Sequence, residues 1–502
     1  MPLSIRSGEP AFDALPAACD EWFAAEKTAT ETGVDSLERT ADALYFRDIR
    51  PALEPFFDAP LPDGSFYSAR NPIPDSAPQH TIFFDDLVRG VRFERDALQP
   101  DTESRAILAF HRAWQSTGDA DWLKAHLRAA QRALETAFTH PHRWSNDLEL
   151  PRRAFTLDAW PVSFGGRAEF DRTLQNVPWC VFPGDAGLLF RACHALAGMS
   201  ETAGEEAEIW RVRASHLEAQ LNSVGWNGAF YSHQIHLVPA RVRGVDETRQ
   251  LAACNARLMN SGVASREQCV AILKEIARRA ELFTPGGCTS GGCAWWSIQP
   301  PFPLDIFGVA PGEGPNGGLN VETGGEVALA ALANGNENIG IETLRRFHEI
   351  AVVPRRVFGF YSDDRSPQRE WGEGTRGAAA MLRALIQGVC GIEDRDCLFG
   401  DIVLSPRWPA ARVASADVEV SYAASGAYVS YRWNLDGGRL TLDWDSKARR
   451  TQFRLLLPQG NLPERVALNG RTQPYILASI EKSKYVELET DKKRGTLAVT
   501  LK

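Results

Sequence analysis

Three segments combine carboxyl groups with aromatic rings or glycines. Asp158 lies between Leu157 and Ala159, two residues before Trp160. Glu370 and Glu373 flank Trp371, and Arg376 follows. Glu313 and Asn316 sit within Gly-Glu-Gly-Pro-Asn-Gly-Gly (312–318). Two carboxyl groups across a glycosidic bond are what its hydrolysis needs, one giving a proton to the leaving oxygen and one activating water or attacking directly. An apolar, aromatic setting raises a carboxyl pKa, which suits Asp158 to the acid role. Indoles beside these carboxyls suit the apolar face of a sugar ring.

Plainer roles stand beside each assignment. Asp158 can bond a loop backbone. Glu373 can face the dipole of the helix that follows it. Glu313 can belong to a tight turn, although its glycines let backbone approach a ligand closely. Trp295 and Trp296, before a Pro-rich stretch, read equally as a sugar-stacking wall and as a buried pair. Asp185, after Gly184 and before an apolar run, is expected to cap a helix. Asp85-Asp86 is expected to cap a helix over DDLVRGVRF. His233 and His236 have poor spacing for a metal and are expected to be ordinary hydrogen-bonded histidines, or one a substrate contact.

These residues lie on long loops rich in Gly, Pro and aromatics, over 60–84, 139–182, 284–320 and 352–375. Loops of that length in a compact protein usually carry function. Between them, residues 10–400 have helical periodicity, as in PDTESRAILAFHRAW followed by DADWLKAHLRAAQRALETAF. Near twelve helices in hairpins are expected, and their alternation with the loops suggests a toroid with its loops on one face. After about residue 401 the pattern alternates apolar and polar, with turns at Asp436-Gly437-Gly438 and Asn469-Gly470. An antiparallel β-sandwich of about seven strands is expected there. The division expected is 1–400 for the helical domain and 401–502 for the sandwich.

The 502 residues are too many for one ordinary core. A net charge of −9 argues against nucleic acid, whose phosphates need a basic face. No stretch is apolar and long enough to span a membrane, and the N-terminal segment lacks the apolar region of a secretory leader. Nine scattered cysteines fit reduced thiols, so a cytoplasmic location is expected. Cys288 and Cys293 leave a clip or disulfide open, but their spacing matches no standard zinc pattern; neither metal nor cofactor is expected.

Four motifs carry a family resemblance. RRAFTLDAWPVSFG (152–165) is similar to the acidic, tryptophan-bearing loop that holds the general acid in trehalase-like enzymes. WNGAFYSHQIH (226–236) resembles a late hairpin of the same barrels. PGEGPNGGLNVETGGEVALAALANGNE (311–337) looks like their Gly-Glu loop leading into a helix, with Gly314 where they usually carry Tyr. REWGEGTRGAAAMLRALIQGVCGI (369–392) resembles their final barrel helix, and LSPRWPAA (404–411) their entry into the sandwich. In this order the motifs resemble the six-hairpin glycosidases. That resemblance implies a mainly α fold, an (α/α)6 barrel followed by an antiparallel β-sandwich, with catalytic carboxyls on loops at the wide mouth. It implies a glycoside hydrolase acting by inversion on a small oligosaccharide or glycoside. Asp158 would be the acid and Glu373 the favoured base, with Glu370 and Glu313 its rivals. Trp160, Trp295, Trp296, Asn316, Trp371 and Arg376 would contact the sugar. Alternatives are a phosphorylase, with Thr289 and Ser290 the place to look for its phosphate pocket, a lyase or epimerase, and a non-catalytic carbohydrate-binding barrel.

Overall fold

The structure is a computed structural model that describes residues 3–25, 32–33, 41–73, 78, 82–154, 179–238, 246–283, 295–299, 309–372 and 374–502. Asp158, Trp160, Cys288, Thr289, Ser290, Cys293 and Glu373 lie outside the described residues.

The helices that order the chain are α1 (Leu15–Ala25), α2 (Arg50–Asp58), α3 (Thr102–Thr117), α4 (Ala120–Thr139), α5 (Pro183–Ala203), α6 (Glu208–Gly225), α7 (Cys254–Ser261), α8 (Arg266–Phe283), α9 (Val321–Ala333), α10 (Glu337–Phe347) and α11 (Thr375–Arg383). Local chemistry sets their ends. Gly118 closes α3 in the left-handed region at φ 63°, and the Asp119 side chain accepts from Trp122 N to start α4. Asn320 caps α9 by accepting from Thr323 N at 2.7 Å.

α3, α5, α7, α9 and α11 pack side by side in that order, and α3, α5 and α9 each pack on the helix that follows them. α11 then packs on α1, and the 3₁₀ turn Ala43–Tyr45 touches α3. Glycine permits the tightest of these contacts. A Cβ on Gly325 of α9 would lie 2.5 Å from the Ala380 backbone in α11, and one on Gly377 would lie 2.5 Å from the Val321 side chain.

The C-terminal part contains two sheets. The strands of the first are β1 (Leu3–Arg6), β7 (Ser415–Ser421), β8 (Tyr428–Asp436), β9 (Arg439–Ser446), β15 (Arg494–Leu501), β11 (Pro463–Leu468) and β12 (Arg471–Thr472), in that spatial order. The second runs β5 (Ile392–Asp394), β6 (Asp401–Leu404), β10 (Arg450–Leu456), β14 (Ser483–Thr490) and β13 (Ile476–Ile480). All neighbours are antiparallel except β6 and β10. Trp444 meets Phe453 edge-on between the sheets, ring centroids 4.8 Å apart. The turns at Asp436–Arg439 and Leu468–Arg471 fall where Asp-Gly-Gly and Asn-Gly place them. The strands outnumber the seven expected, and β1 comes from the start of the chain, pairing Leu3–Arg6 with Asp417–Val420.

One continuous apolar core joins helices and sheets. Trp408 is fully buried at the junction, donating from Nε1 to Tyr431 Oη at 3.0 Å, while Tyr431 donates to the Cys390 carbonyl. No disulfide joins the described cysteines. Among the described residues no helix is long and apolar enough to cross a membrane.

The segment DDLVRGVRF is not a helix. Ile82–Asp86 (β3) and Val91–Arg95 (β4) form a hairpin, and β4 pairs on its other side with β2 (Ala69–Pro72). Gly90 takes φ 67° in the turn, and Asp85 pairs with Arg92 at 2.6 Å across the strands. The alternation Val91-Arg92-Phe93-Glu94-Arg95 is a strand period, and it prevails over the capping signal.

Candidate active site

The first turns of α3, α5, α7, α9 and α11 come together at one end of the helical body and carry buried charge. Arg105 Nε lies 2.7 Å from Asp101, at the start of α3. Arg153 Nη1 donates to both oxygens of Asp185, at 2.8 and 3.1 Å. Arg257 of α7 reaches Glu322 of α9 at 2.9 Å, and Arg376 of α11 stands 3.8 Å from the other oxygen of Glu322. One turn deeper, Arg383 bridges Glu326 at 3.0 Å and Asp42 at 2.8 Å. These charges form a floor linking neighbouring helices.

Asp185 is not the cap of α5. Phe182 holds the cap position, Pro183 opens the helix, and Asp185 sits in its first turn facing Arg153. Its carboxylate satisfies a guanidinium on a neighbouring segment in preference to its own backbone. Burial pushes its carboxyl up to about 7, against the pull of Arg153. Asp101 goes the other way: burial raises it, but Arg105 and Arg153 outweigh that and hold it well below the carboxylate range. Glu322 is likewise held at about 2, burial being overcome by Arg376, Arg257 and Arg105.

Short β-bridges tie together the loops at the starts of these helices. Arg153 pairs with Cys180, and Cys180 with His236. Ala252 pairs with Ile298, Trp296 with Leu319, and Asn320 with Phe360. The hairpin motif 226–231 closes as expected, with Trp226 bridged to Tyr231 and Asn227 Oδ1 accepting from Ala229 N and Phe230 N. His233 and His236 both place Nε2 on Glu247, at 3.2 and 3.0 Å, and Gln234 donates to the same carboxylate. Glu247 is lowered as a result, its two histidines and Gln234 prevailing over burial. Among the described residues no group of three or more His, Cys, Asp or Glu side chains is arranged to hold a metal ion.

The structure brings two of the candidate loops into contact. Gln368 accepts from Gly314 N at 2.7 Å and donates to the Gly312 carbonyl at 3.0 Å. Trp371 lies against Gly314, where a Cβ would be 2.2 Å from the indole, and packs edge-on with Phe360. Glu313 and Glu370 are both exposed on this joined rim. Arg376 rises from the floor beside it, its side chain 41% exposed.

Asn316 is fully buried and donates to the Val309 carbonyl at 2.9 Å, so it shapes its own loop. Trp295 and Trp296 are 0% and 2% exposed. Trp295 donates to Thr343 Oγ1 at 3.4 Å. With no face open, this pair packs the core in the structure and does not offer the sugar wall that the sequence allowed. The buried floor was missed in the sequence. Its signal was a charged residue in the first turn of each of these helices, among small or apolar neighbours.

No protein-family model matches the chain, and no curated protein sequence matches it. Solved structures do. An α-L-rhamnosidase of Streptomyces avermitilis, solved with L-rhamnose, aligns over 99% of this chain and 42% of its own, with a TM-score of 0.60 at 13% identity. An α-L-rhamnosidase of Dictyoglumus thermophilum aligns over 93% and 45%, with a TM-score of 0.58 at 10% identity. A GH63 mannosylglycerate hydrolase of Thermus thermophilus aligns over 71% and 93%, with a TM-score of 0.52 at 13% identity. The chain spans less than half the length of these rhamnosidase structures. At such identities the likeness is one of fold alone.

Proposed function

We propose that the chain is a glycoside hydrolase whose helices close into an (α/α)6 barrel over residues 1–400, with a β-sandwich over 401–502 that borrows the strand Leu3–Arg6. The observation that carries this reading is the likeness of fold along nearly the whole chain to a glycosidase structure. The joined rim over the helix starts supports it, because the exposed carboxylates of Glu313 and Glu370 stand there beside Trp371 and Arg376. On this reading Asp158, beside Trp160, protonates the leaving oxygen. A glutamate of the rim, Glu373 first and then Glu370 or Glu313, activates water on the opposite face, giving inversion. Trp371 and Arg376 contact the sugar. The substrates to try first are α-L-rhamnosides and mannosylglycerate, after the proteins of like fold.

Phosphorolysis is the second reading, and one observation speaks to it. Arg191, Arg257, Arg376 and Arg383 surround a cavity between α5, α7, α9 and α11, with Ser261 in its wall. The cavity is only ≈ 20 Å³, however. That is room for about one water molecule, so this cavity does not itself take phosphate. Proton NMR of the reaction, run with and without phosphate, tests both readings. Release of the free sugar with inverted anomeric configuration and no phosphate dependence is expected. A sugar phosphate as product would overturn hydrolysis, and retained configuration would overturn inversion.

A further inference from the structure

A second cavity opens at the same end of the molecule, beside the charged floor but apart from the joined rim. It lies where the chain leaves α4 and turns back toward α5, and its volume is ≈ 430 Å³. Sites for small ligands typically measure about 300–1,000 Å³ and combine apolar walls with a few polar groups. The half-buried indoles of Trp144 and Trp179 wall this one, with Ser145, Asn146, Asp147 and Arg152 around them.

The frame of the cavity is built, not incidental. Trp144 and Ser145 pair with Leu150 and Pro151 in a short hairpin, which presents Asn146 and Asp147 at its exposed turn. Trp144 is braced by Phe138 at 5.1 Å. The Arg152 guanidinium lies 4.4 Å over the Trp179 ring and donates to the Pro141 carbonyl, and His142 stacks on the same indole. Indole surface beside a carboxylate, a carboxamide and a guanidinium is the chemistry that recognises a pyranose. The ring's C–H face packs on the indole, and vicinal hydroxyls bridge donors and acceptors.

We propose that this cavity is a saccharide subsite that binds a pyranose ring on Trp144, with Trp179 in its wall, held by Asn146, Asp147 and Arg152, outside the joined rim. The assignment rests on the glycosidase reading for the class of its ligand. It extends that reading to substrates with a further sugar beyond the scissile bond, or to a free sugar that occupies the subsite alone.

The test is a titration of the full chain labelled with 5-fluorotryptophan, followed by fluorine NMR. The Trp144 and Trp179 resonances are assigned with Trp144→Phe and Trp179→Phe. The probes are methyl α-L-rhamnopyranoside, methyl α-D-mannopyranoside and methyl α-D-glucopyranoside. At least one probe is expected to shift both resonances saturably. Asn146→Ala and Asp147→Ala, both on the exposed turn, are each expected to raise the half-saturating concentration about fivefold, the worth of one hydrogen bond. Should Trp144→Phe fail to fold, the Trp179 resonance carries the readout. Resonances that none of the probes moves, or a half-saturation unchanged in the Asn146→Ala/Asp147→Ala double variant, would overturn the proposal. The readout is binding, so the two failures separate. Shifts without any glycosidase activity count against the hydrolase reading alone, and hydrolysis with unmoved resonances counts against the subsite alone.

Discussion

Glu322→Gln is the most telling perturbation of the charged floor. Glu322 receives Arg257 at 2.9 Å and stands 3.8 Å from Arg376, with only about a fifth of its side chain exposed. Its carboxyl titrates at about 2 in the fold, against 4.5 for an ordinary glutamate. Because the folded value is depressed, the group stabilises the protein above the unfolded value, and that stability disappears as pH falls from about 5 toward 2. At about 1.4 kcal/mol per unit, the charged form contributes about 3 kcal/mol at pH 7. Glutamine keeps the shape and one acceptor but leaves two arginines facing each other, so the variant should lose about 3 kcal/mol. Urea unfolding of wild type and variant at pH 7, and again at steps down to pH 3, measures the difference. The gap should be widest at neutral pH and close on acidification. A difference under about 0.5 kcal/mol at pH 7, or one that does not change with pH, would refute the electrostatic account.

Three further outcomes follow from the same structure. Asp185 is raised to about 7 by burial, so the stability tied to its protonated form is complete below the ordinary carboxylate range and declines as pH rises toward 7; Asp185→Asn should flatten that decline in thermal scans between pH 4 and 8. Gly325→Ala forces a methyl group to within 2.5 Å of the Ala380 backbone and should cost about 1–3 kcal/mol or more, read as a lower Tm. Gly314→Ala drives a methyl group into the Trp371 ring and strains a residue at φ 42°, so it should part the two rim loops and lower kcat/KM about tenfold or more with little change in global unfolding.

The sequence showed the repeated local units well, because each carries its own signal. The helical hairpin Thr102–Thr139 has its period, its Gly118 stop and its Asp119 cap within forty residues. The strands over 428–446 alternate cleanly around Asp436-Gly437-Gly438. What depends on distant partners was not legible. Nothing in Leu3–Arg6 announces that it pairs with a strand more than four hundred residues away. Asp185 looked like a helix cap because its counterion, Arg153, lies thirty-two residues upstream. The floor was hidden for the same reason, since Arg257, Glu322 and Arg376 come from three helices and acquire a common role only when those helices pack. Trp296 could be read as wall or core until its burial decided the matter.

The central claim is tested most directly by steady-state kinetics of the full chain on aryl α-L-rhamnosides, mannosylglycerate and a set of disaccharides. Wild type would be compared with Asp158→Asn, Glu373→Gln, Glu370→Gln and Glu313→Gln. The account predicts hydrolysis of at least one of these glycosides, with kcat lowered by about two to four orders of magnitude in Asp158→Asn and in one of the glutamate variants. Full activity in Asp158→Asn and in all three glutamate variants would contradict it.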